Sequence, residues 1–280
     1  MGRKLRIEYY GAIYHIIQRG NNRAPIFRDE KNKIYLLELL NESKEIYDFE
    51  LFAYVIMNNH YHFLLRTLNI PISKIMHNIN TKYAKYYNEK ISRTGPVFED
   101  RYKGILVQDE SYFLTLIRYI HNNPVAANLS KSMEEYKWSS DVFYRMNIGN
   151  IVDIDIFLEM LSLDRKKAIE KYVELMKKQD SHYEVLKDIY EKKPIIGSKE
   201  FIKSIDKSEE DKKRTLDEIL KLSCPTENEF KLIKAGSRKR YLTKYKVEYI
   251  ELGKKEGYTY KQIGENIGVS GPSVRKIFKK

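Results

Sequence analysis

The run Val55-Ile56-Met57-Asn58-Asn59-His60-Tyr61-His62-Phe63-Leu64-Leu65-Arg66 constrains the fold more than any other stretch. From Glu50 to Arg66, two runs rich in aliphatic and aromatic residues flank an Asn-Asn turn, which spells a β-hairpin. Strand side chains alternate between faces, so His60 and His62 project from one side of the sheet. Tyr61, Phe63 and Leu65 point the other way and are apolar enough to anchor that face in a core. Two imidazoles side by side on a rigid strand form a natural pair of metal ligands. A working site also needs a third protein group and open positions.

The surrounding pattern sets the fold class. Tyr9 to Arg19 alternates as a first strand, with Ile13, His15 and Ile17 on one face, and His15 reads as a packed or solvent-edge histidine. Gly20-Asn21-Asn22-Arg23 follows as a turn. Asp29 to Tyr47 and Ser73 to Lys90 carry apolar residues at helical spacing. Val97-Phe98 and Gly104 to Val107 read as a short strand pair. Ser111 to about Asn122 reads as a third helix ended by Pro124. Helices alternating irregularly with paired strands predict an α+β fold with an antiparallel sheet.

From about residue 150 the pattern becomes helical, with a loosely packed join expected over 178–197. The expected organisation is a catalytic domain over 1–150, a helical connector over 151–197 and a basic helical domain over 198–280. Near the C-terminus, Thr259 with Gln262 forms a capping box, Gly268 a turn, and Ser270 caps a last helix bearing Arg275, Lys276, Lys279 and Lys280. Helix, Gly turn and basic helix is the helix-turn-helix arrangement, although any small trihelical module shares it.

Charge favours the nucleic-acid reading. The chain has 280 residues and a formal net charge of +12. Residues 231–280 hold 14 Lys and Arg against 4 Asp and Glu, a net of +10. Clustered positive charge without an amphipathic anchor points to nucleic acid rather than a membrane surface. The 23 tyrosines include enough aromatic planes for stacking on unpaired bases, while most of them serve in cores and surfaces. No apolar run is long enough to span a membrane, and the basic N-terminus lacks the apolar segment of a signal peptide. Cys224 is the single cysteine, which excludes a disulfide within the chain and fits the cytoplasm.

The third helix adds the chemistry. Phe113, Leu116, Ile117 and Ile120 form an apolar stripe, and Tyr112, Thr115, Tyr119 and Asn123 form another. Tyr119 and Asn123 therefore face the same way one turn apart, a phenol as nucleophile beside an amide oxygen as ligand. Tyrosine has a pKa of about 10 and is a poor nucleophile unless charge on the reacting phosphate is stabilised. Tyr83, Tyr86 and Tyr87 stand at core spacing and lack such a polar partner.

These motifs together resemble a known family. His60-Tyr61-His62 resembles the HUH motif of single-tyrosine transposases, IS200-like. Tyr119-Ile120-His121-Asn122-Asn123-Pro124-Val125-Ala126-Ala127 resembles the tyrosine segment of their REP-associated branch. Gly20 to Arg23, Arg93 to Phe98 and Arg101-Tyr102-Lys103 match in the same order, over roughly residues 5–145. The resemblance implies a ferredoxin-like catalytic domain that cleaves and rejoins single-stranded DNA beside hairpins through a 5′-phosphotyrosine intermediate. It implies Tyr119 as nucleophile, His60, His62 and Asn123 as metal ligands, and Arg19, Asn21, Asn22, Arg23, Arg101 and Lys103 near the bound strand. Arg275 and Lys276 are the candidate DNA contacts of the C-terminal domain, which resembles a DnaA-like extension.

The metal implied is Mg²⁺ or Mn²⁺, and that choice comes from the resemblance, because imidazole ligands alone equally suit Zn²⁺. Tyr61 is a less usual middle residue of the motif, and Ala126 stands where many relatives carry arginine. The expected partner is hairpin-bearing single-stranded DNA, with the chain as monomer or homodimer. Two other readings use the same residues: a non-catalytic DNA-binding regulator, and a metal-dependent hydrolase of RNA or nucleotides with Tyr119 structural.

Overall fold

The computed structural model describes residues 7–177, 183–212 and 214–278. Lys279 and Lys280 lie outside them. The described residues divide into two compact units, one ending at residue 202 and the other beginning at residue 203. The stretch 151–197 thus falls in the same unit as the sheet.

The first unit opens with β1 (Ile13–Arg19), α1 (Glu30–Tyr47), β2 (Phe49–Ile56), β3 (His60–Thr67), α2 (Ile72–Lys90) and β4 (Lys103–Val107). Strand order is β2-β3-β1-β4, and these four strands pair antiparallel. A β-α-β-β-α-β chain with this order is the ferredoxin-like arrangement. The hairpin forms where the Asn-Asn turn places it. Asp29 caps α1 by accepting from the Lys31 N–H. Pro71 precedes α2, where a missing N–H costs nothing.

One face of the sheet is covered by α1 and α2. Tyr61 and Phe63 stack there at 4.1 Å, and the Tyr61 hydroxyl donates to Asn80 Oδ1 at 2.7 Å. The other face receives α3 (Phe113–Ala126) against β2 and β3. Phe113, Leu116, Ile117 and Ile120 are all buried, as their stripe requires.

Three expectations are corrected. Val97-Phe98 forms no strand with β4; Phe98 makes one bridge to Gly20, while Val97 O accepts from Asn21 N and Glu99 N donates to Arg19 O. The segment is consumed by the end of β1. The sheet is also not purely antiparallel, because β5 (Ile195–Ile196) joins β4 in parallel. Two residues after Pro194 are too few to show strand periodicity. The described part of the expected join, residues 183–197, packs onto the sheet unit through buried Tyr190, Ile195 and Ile196.

The rest of this unit is α4 (Asp141–Met146), α5 (Asp155–Leu161), α6 (Arg165–Lys177) and α7 (Tyr183–Lys192), and α8 (Lys199–Lys212) begins in it. A buried polar cluster joins α3 to α4 and α6. His121 Nε2 lies 2.7 Å from Ser140 Oγ, and its Nδ1 lies 2.9 Å from the Tyr172 hydroxyl. Tyr172 in turn donates to Asp141 Oδ1 at 2.6 Å. The Tyr172 proton is committed to Asp141, so His121 donates through Nδ1 and accepts through Nε2, which satisfies a neutral ring.

The second unit holds α9 (Leu216–Ser223), α10 (Glu227–Lys234), α11 (Thr243–Lys255), α12 (Tyr260–Asn266) and α13 (Gly271–Phe278). Its core is Ile219, Leu220, Ile233, Leu242, Tyr249, Ile250, Ile263, Ile267 and Val274. Capping boxes start α9 at Thr215 with Glu218 and α12 at Thr259 with Gln262. The turn between α12 and α13 folds back tightly: a Cβ at Gly264 would stand 2.4 Å from the Val269 carbonyl oxygen. Among the described residues, no helix is long and apolar enough to cross a membrane.

Burial lowers the His121 pKa from 6.5 to about 4, with Asp141 opposing the shift. The unfolded chain therefore binds this proton more readily than the folded one. The associated stability is complete above about pH 6.5 and is lost as pH falls toward 4, by roughly 3 kcal/mol in all. In chelator, His121→Gln is expected to flatten the dependence of urea-unfolding stability on pH across that window. An unchanged slope would assign the acid loss to other groups.

Candidate active site

The β1–β3 register builds the site. Arg19 stands opposite His60, and Ile17 opposite His62, so all four share the α3 face. Ile17 also faces Lys103 on β4, which extends this row across the sheet. The His60 and His62 rings lie 5.1 Å apart. His15, two positions before Ile17, points to the same side and is fully buried.

Hydrogen bonds orient both candidate ligands. His60 Nδ1 lies 2.6 Å from Asn59 Oδ1, and the Asn59 amide nitrogen donates to Arg23 O at 3.3 Å. An amide oxygen only accepts, so His60 carries its proton on Nδ1 and leaves Nε2 free. His62 Nδ1 lies 2.9 Å from His15 Nε2, while His62 Nε2 is buried with no hydrogen-bond partner. Burial, assisted by Arg19 and Lys187, holds the His60 pKa down at about 3. Burial, with His60, His15 and Arg19 nearby, holds His62 well below its usual value. Both rings are therefore neutral at pH 7, the form that binds metals.

Tyr119 meets this pair from α3. Its ring lies 6.1 Å from His62 and from His15, edge-on to each. The hydroxyl donates to Glu191 Oε1 at 2.6 Å, and Glu191 also faces Arg19 at 3.9 Å. Tyr183 stacks on Tyr119 at 5.3 Å, and Tyr190 meets it edge-on at 5.2 Å. These contacts bury the Tyr119 side chain completely. Burial, then Glu191 and Tyr183, push its pKa well up, so the phenol is held protonated.

Asn123 follows one turn later and resolves a backbone problem. Pro124 has no N–H for the Ile120 carbonyl, yet α3 continues to Ala126 rather than ending at Asn122 as expected. The Asn123 amide nitrogen donates to Tyr119 O at 2.8 Å and reaches Ile120 O at 3.4 Å. It thereby supplies a donor where proline cannot. Asn123 Oδ1 accepts from the Tyr183 hydroxyl at 3.1 Å and keeps a second lone pair.

The donors fit a divalent cation in one respect above all: an orphaned, buried imidazole nitrogen at His62 beside a second free one at His60. Among the described residues, no group of three or more His, Cys, Asp or Glu is arranged to hold a metal. A third protein donor would thus come from an amide such as Asn123.

The remaining candidates lie around the site's rim or in the other unit. Asn21, Asn22 and Arg23 form a 3₁₀ turn after β1, with Asn22 and Arg23 exposed at φ of 51° and 57°. Gly20 permits that turn, since a Cβ there would stand 2.5 Å from the Ala24 carbonyl oxygen. Ile17, Gln18, Arg19, Asp100, Arg101 and Lys103 line an open cavity of about 370 Å³, and Arg101 and Lys103 are exposed on it. In the second unit, Arg275 and Lys276 are exposed beside Tyr260. The Arg275 guanidinium lies 5.4 Å and Lys254 Nζ 4.8 Å from the Tyr260 ring centre.

Sequence reasoning missed Glu191, Tyr183 and Tyr190, because nothing in their spacing links α7 to α3. It read His15 as a packed histidine and Asn59 only as a turn residue. The alternation of β1 did place His15 on the face of the histidine pair once the strands are registered.

Residues 8–123 match the family model described as transposase, IS200 like. That segment holds the whole β-α-β-β-α-β sheet, His60, His62, Tyr119 and Asn123, so this part of the chain is similar to IS200-like transposases. No curated protein matches the chain. Among solved structures, a REP-associated tyrosine transposase bound to a REP hairpin shares 16% identity at a TM-score of 0.46, over 55% of this chain and 96% of that one. A Deinococcus radiodurans R1 protein described as a candidate transposase shares 20% identity at a TM-score of 0.30, over 44% and 95%.

The role of Asn123 in the helix is measurable without metal. Asn123→Leu is expected to lower stability in chelator by about 1–3 kcal/mol, the cost of leaving a buried carbonyl unpaired. Adding Pro124→Ala, which restores an N–H, should recover part of that loss in the same urea titration. Equal stability of Asn123→Leu and the parent would remove the amide from this role.

Proposed function

We propose that this chain is a metal-dependent transposase or nickase that cleaves and rejoins single-stranded DNA beside hairpins, with Tyr119 as its nucleophile. One observation carries the reading: within a single chain, α3 sets Tyr119 against the face of the sheet that bears His60 and His62. A regulator that only binds DNA has no use for a phenol, a carboxylate acceptor and two neutral imidazoles in one place. The ordered motifs from Gly20 to Asn123 and the family match over residues 8–123 support the same substrate class.

His60 and His62 would hold the cation through Nε2, with Asn123 Oδ1 as third donor. Mg²⁺ or Mn²⁺ bound there would polarise the phosphodiester and stabilise charge on the leaving oxygen. Tyr119 Oη attacks phosphorus, and Glu191 takes the phenol proton as the Oη–P bond forms. The P–O3′ bond breaks, and the leaving oxygen picks up a proton to become a free 3′-OH. The 5′-phosphotyrosine ester preserves the bond energy, so a 3′-OH can reverse the step and rejoin strands. Arg19, Arg101 and Lys103 would neutralise backbone phosphates along the cavity, and Asn21, Asn22 and Arg23 would contact the strand at its edge. The second unit would add duplex or hairpin contacts through Arg275 and Lys276 on α13, read as the second helix of a helix-turn-helix.

Tyr119 is fully covered by α7 residues, so a phosphodiester reaches it only when Tyr183 and Glu191 yield their places. Glu191 can therefore act as proton acceptor or as latch, and the two roles differ in sign.

Incubation with single-stranded hairpin DNA and Mn²⁺, followed by denaturation, should yield a covalent adduct that Tyr119→Phe abolishes. An adduct surviving that substitution would dismiss Tyr119, and cleavage without any adduct would favour hydrolysis by metal-bound water. Glu191→Gln should slow adduct formation on the order of 100-fold if the carboxylate accepts the proton. Faster adduct formation in Glu191→Gln would instead make the residue a latch.

A further inference from the structure

We propose that His15 is a positioning residue for the metal site: it holds His62 in the tautomer whose Nε2 is free to ligate, and the Tyr190 carbonyl fixes His15 in turn. The inference deepens the reading of His60 and His62 as ligands and rests on it.

The geometry admits one proton arrangement. His15 Nδ1 lies 2.9 Å from the Tyr190 carbonyl oxygen, which can only accept, so Nδ1 carries the hydrogen. A neutral imidazole has one N–H, so His15 Nε2 is a lone pair. Its partner at 2.9 Å is His62 Nδ1, which must therefore supply the hydrogen. His62 is then left with a bare Nε2, the same atom that is buried without a partner.

The opposite tautomer of His62 would set two lone pairs against each other and strand a buried N–H at Nε2, each an unfavourable arrangement. A protonated His15 would avoid the first problem and create a buried cation. The ring meets His62 and the edge of Tyr119, and only the Tyr190 carbonyl favours that charge, which full burial outweighs. The two imidazoles lie 18° from parallel with ring centres 5.1 Å apart, an arrangement that accommodates the N–H···N bond between them.

The result is a relay of orientation from α7 into the sheet: Tyr190 carbonyl, His15, His62, free nitrogen. Asn59 does the same for His60 from the next position in sequence. His15 acts from a neighbouring strand, and its anchor lies outside the residues 8–123 matched by the family. Metal-binding histidines commonly depend on such a partner for ring orientation, and losing it costs about 10–100-fold in metal affinity.

The test uses the full ¹⁵N-labelled chain. Long-range ¹H–¹⁵N correlation of its imidazoles in chelator at pH 7 should show His62 protonated at Nδ1. Mn²⁺ titrated by calorimetry should bind His15→Phe about 10–100-fold more weakly than the parent, with the amide spectrum confirming the fold. In that variant the His62 proton should redistribute toward Nε2. His15→Gln, whose amide oxygen can accept from His62 Nδ1, should recover most of the affinity.

A parent spectrum with the His62 proton on Nε2 overturns the proposal, and that spectrum decides even if His15→Phe fails to fold. Unchanged Mn²⁺ affinity in a folded His15→Phe also overturns it, while leaving the metal site intact. A parent that binds no Mn²⁺, despite the expected tautomer, overturns the metal reading and this proposal with it.

Discussion

The site depends on one alignment of backbone: Arg19 opposite His60 and Ile17 opposite His62 across the β1–β3 ladder. Strand side chains alternate with a period of two, so a slip of one residue would turn the histidines toward α1 and α2. Burial prevents that slip. Tyr61 and Phe63 fill the opposite face, where Tyr61 is bonded to Asn80 and stacked on Phe63. The apolar residues of β3 thus hold its polar ones in place. The same register brings His15 diagonally beside His62 and leaves Arg19 at the site's edge.

Onto this face the chain lays two helices that are distant in sequence. α3 brings Tyr119, and α7 closes over it with Tyr183, Tyr190 and Glu191. The closure shields the phenol, raises its pKa and gives partners to the Tyr119 hydroxyl through Glu191 and to Asn123 Oδ1 through Tyr183. It also places the Tyr190 carbonyl where it can orient His15. The β5 strand, two residues beyond α7, fixes the C-terminal end of that cover to β4.

Within residues 203–280 the physics is simpler. Two capping boxes start α9 and α12, nine buried side chains among the described residues form the core, and of the charged side chains whose burial is described only Lys246 is buried, its ammonium donating to the Ser237 carbonyl. Tyr260 carries Arg275 and Lys254 over its ring, so the exposed cations of α13 are partly ordered by an aromatic surface.

Local patterns were enough to determine the hairpin, the faces of β3, the stripes of α3 and the capped helices near the C-terminus. Each is a matter of period two, period 3.6 or a cap within four residues, and short-range sterics decide them. The ordered motifs from Gly20 to Asn123 further gave those elements their resemblance to IS200-like transposases, over the segment the family model matches. The tertiary structure showed that α3 continues past Pro124, where the adjacent Asn123 amide supplies the donor that proline lacks. It alone joined Glu191 to Tyr119 across 72 residues and Tyr190 to His15 across 175. Contacts at such separations leave no periodic trace, since they depend on how finished elements meet rather than on how each one forms.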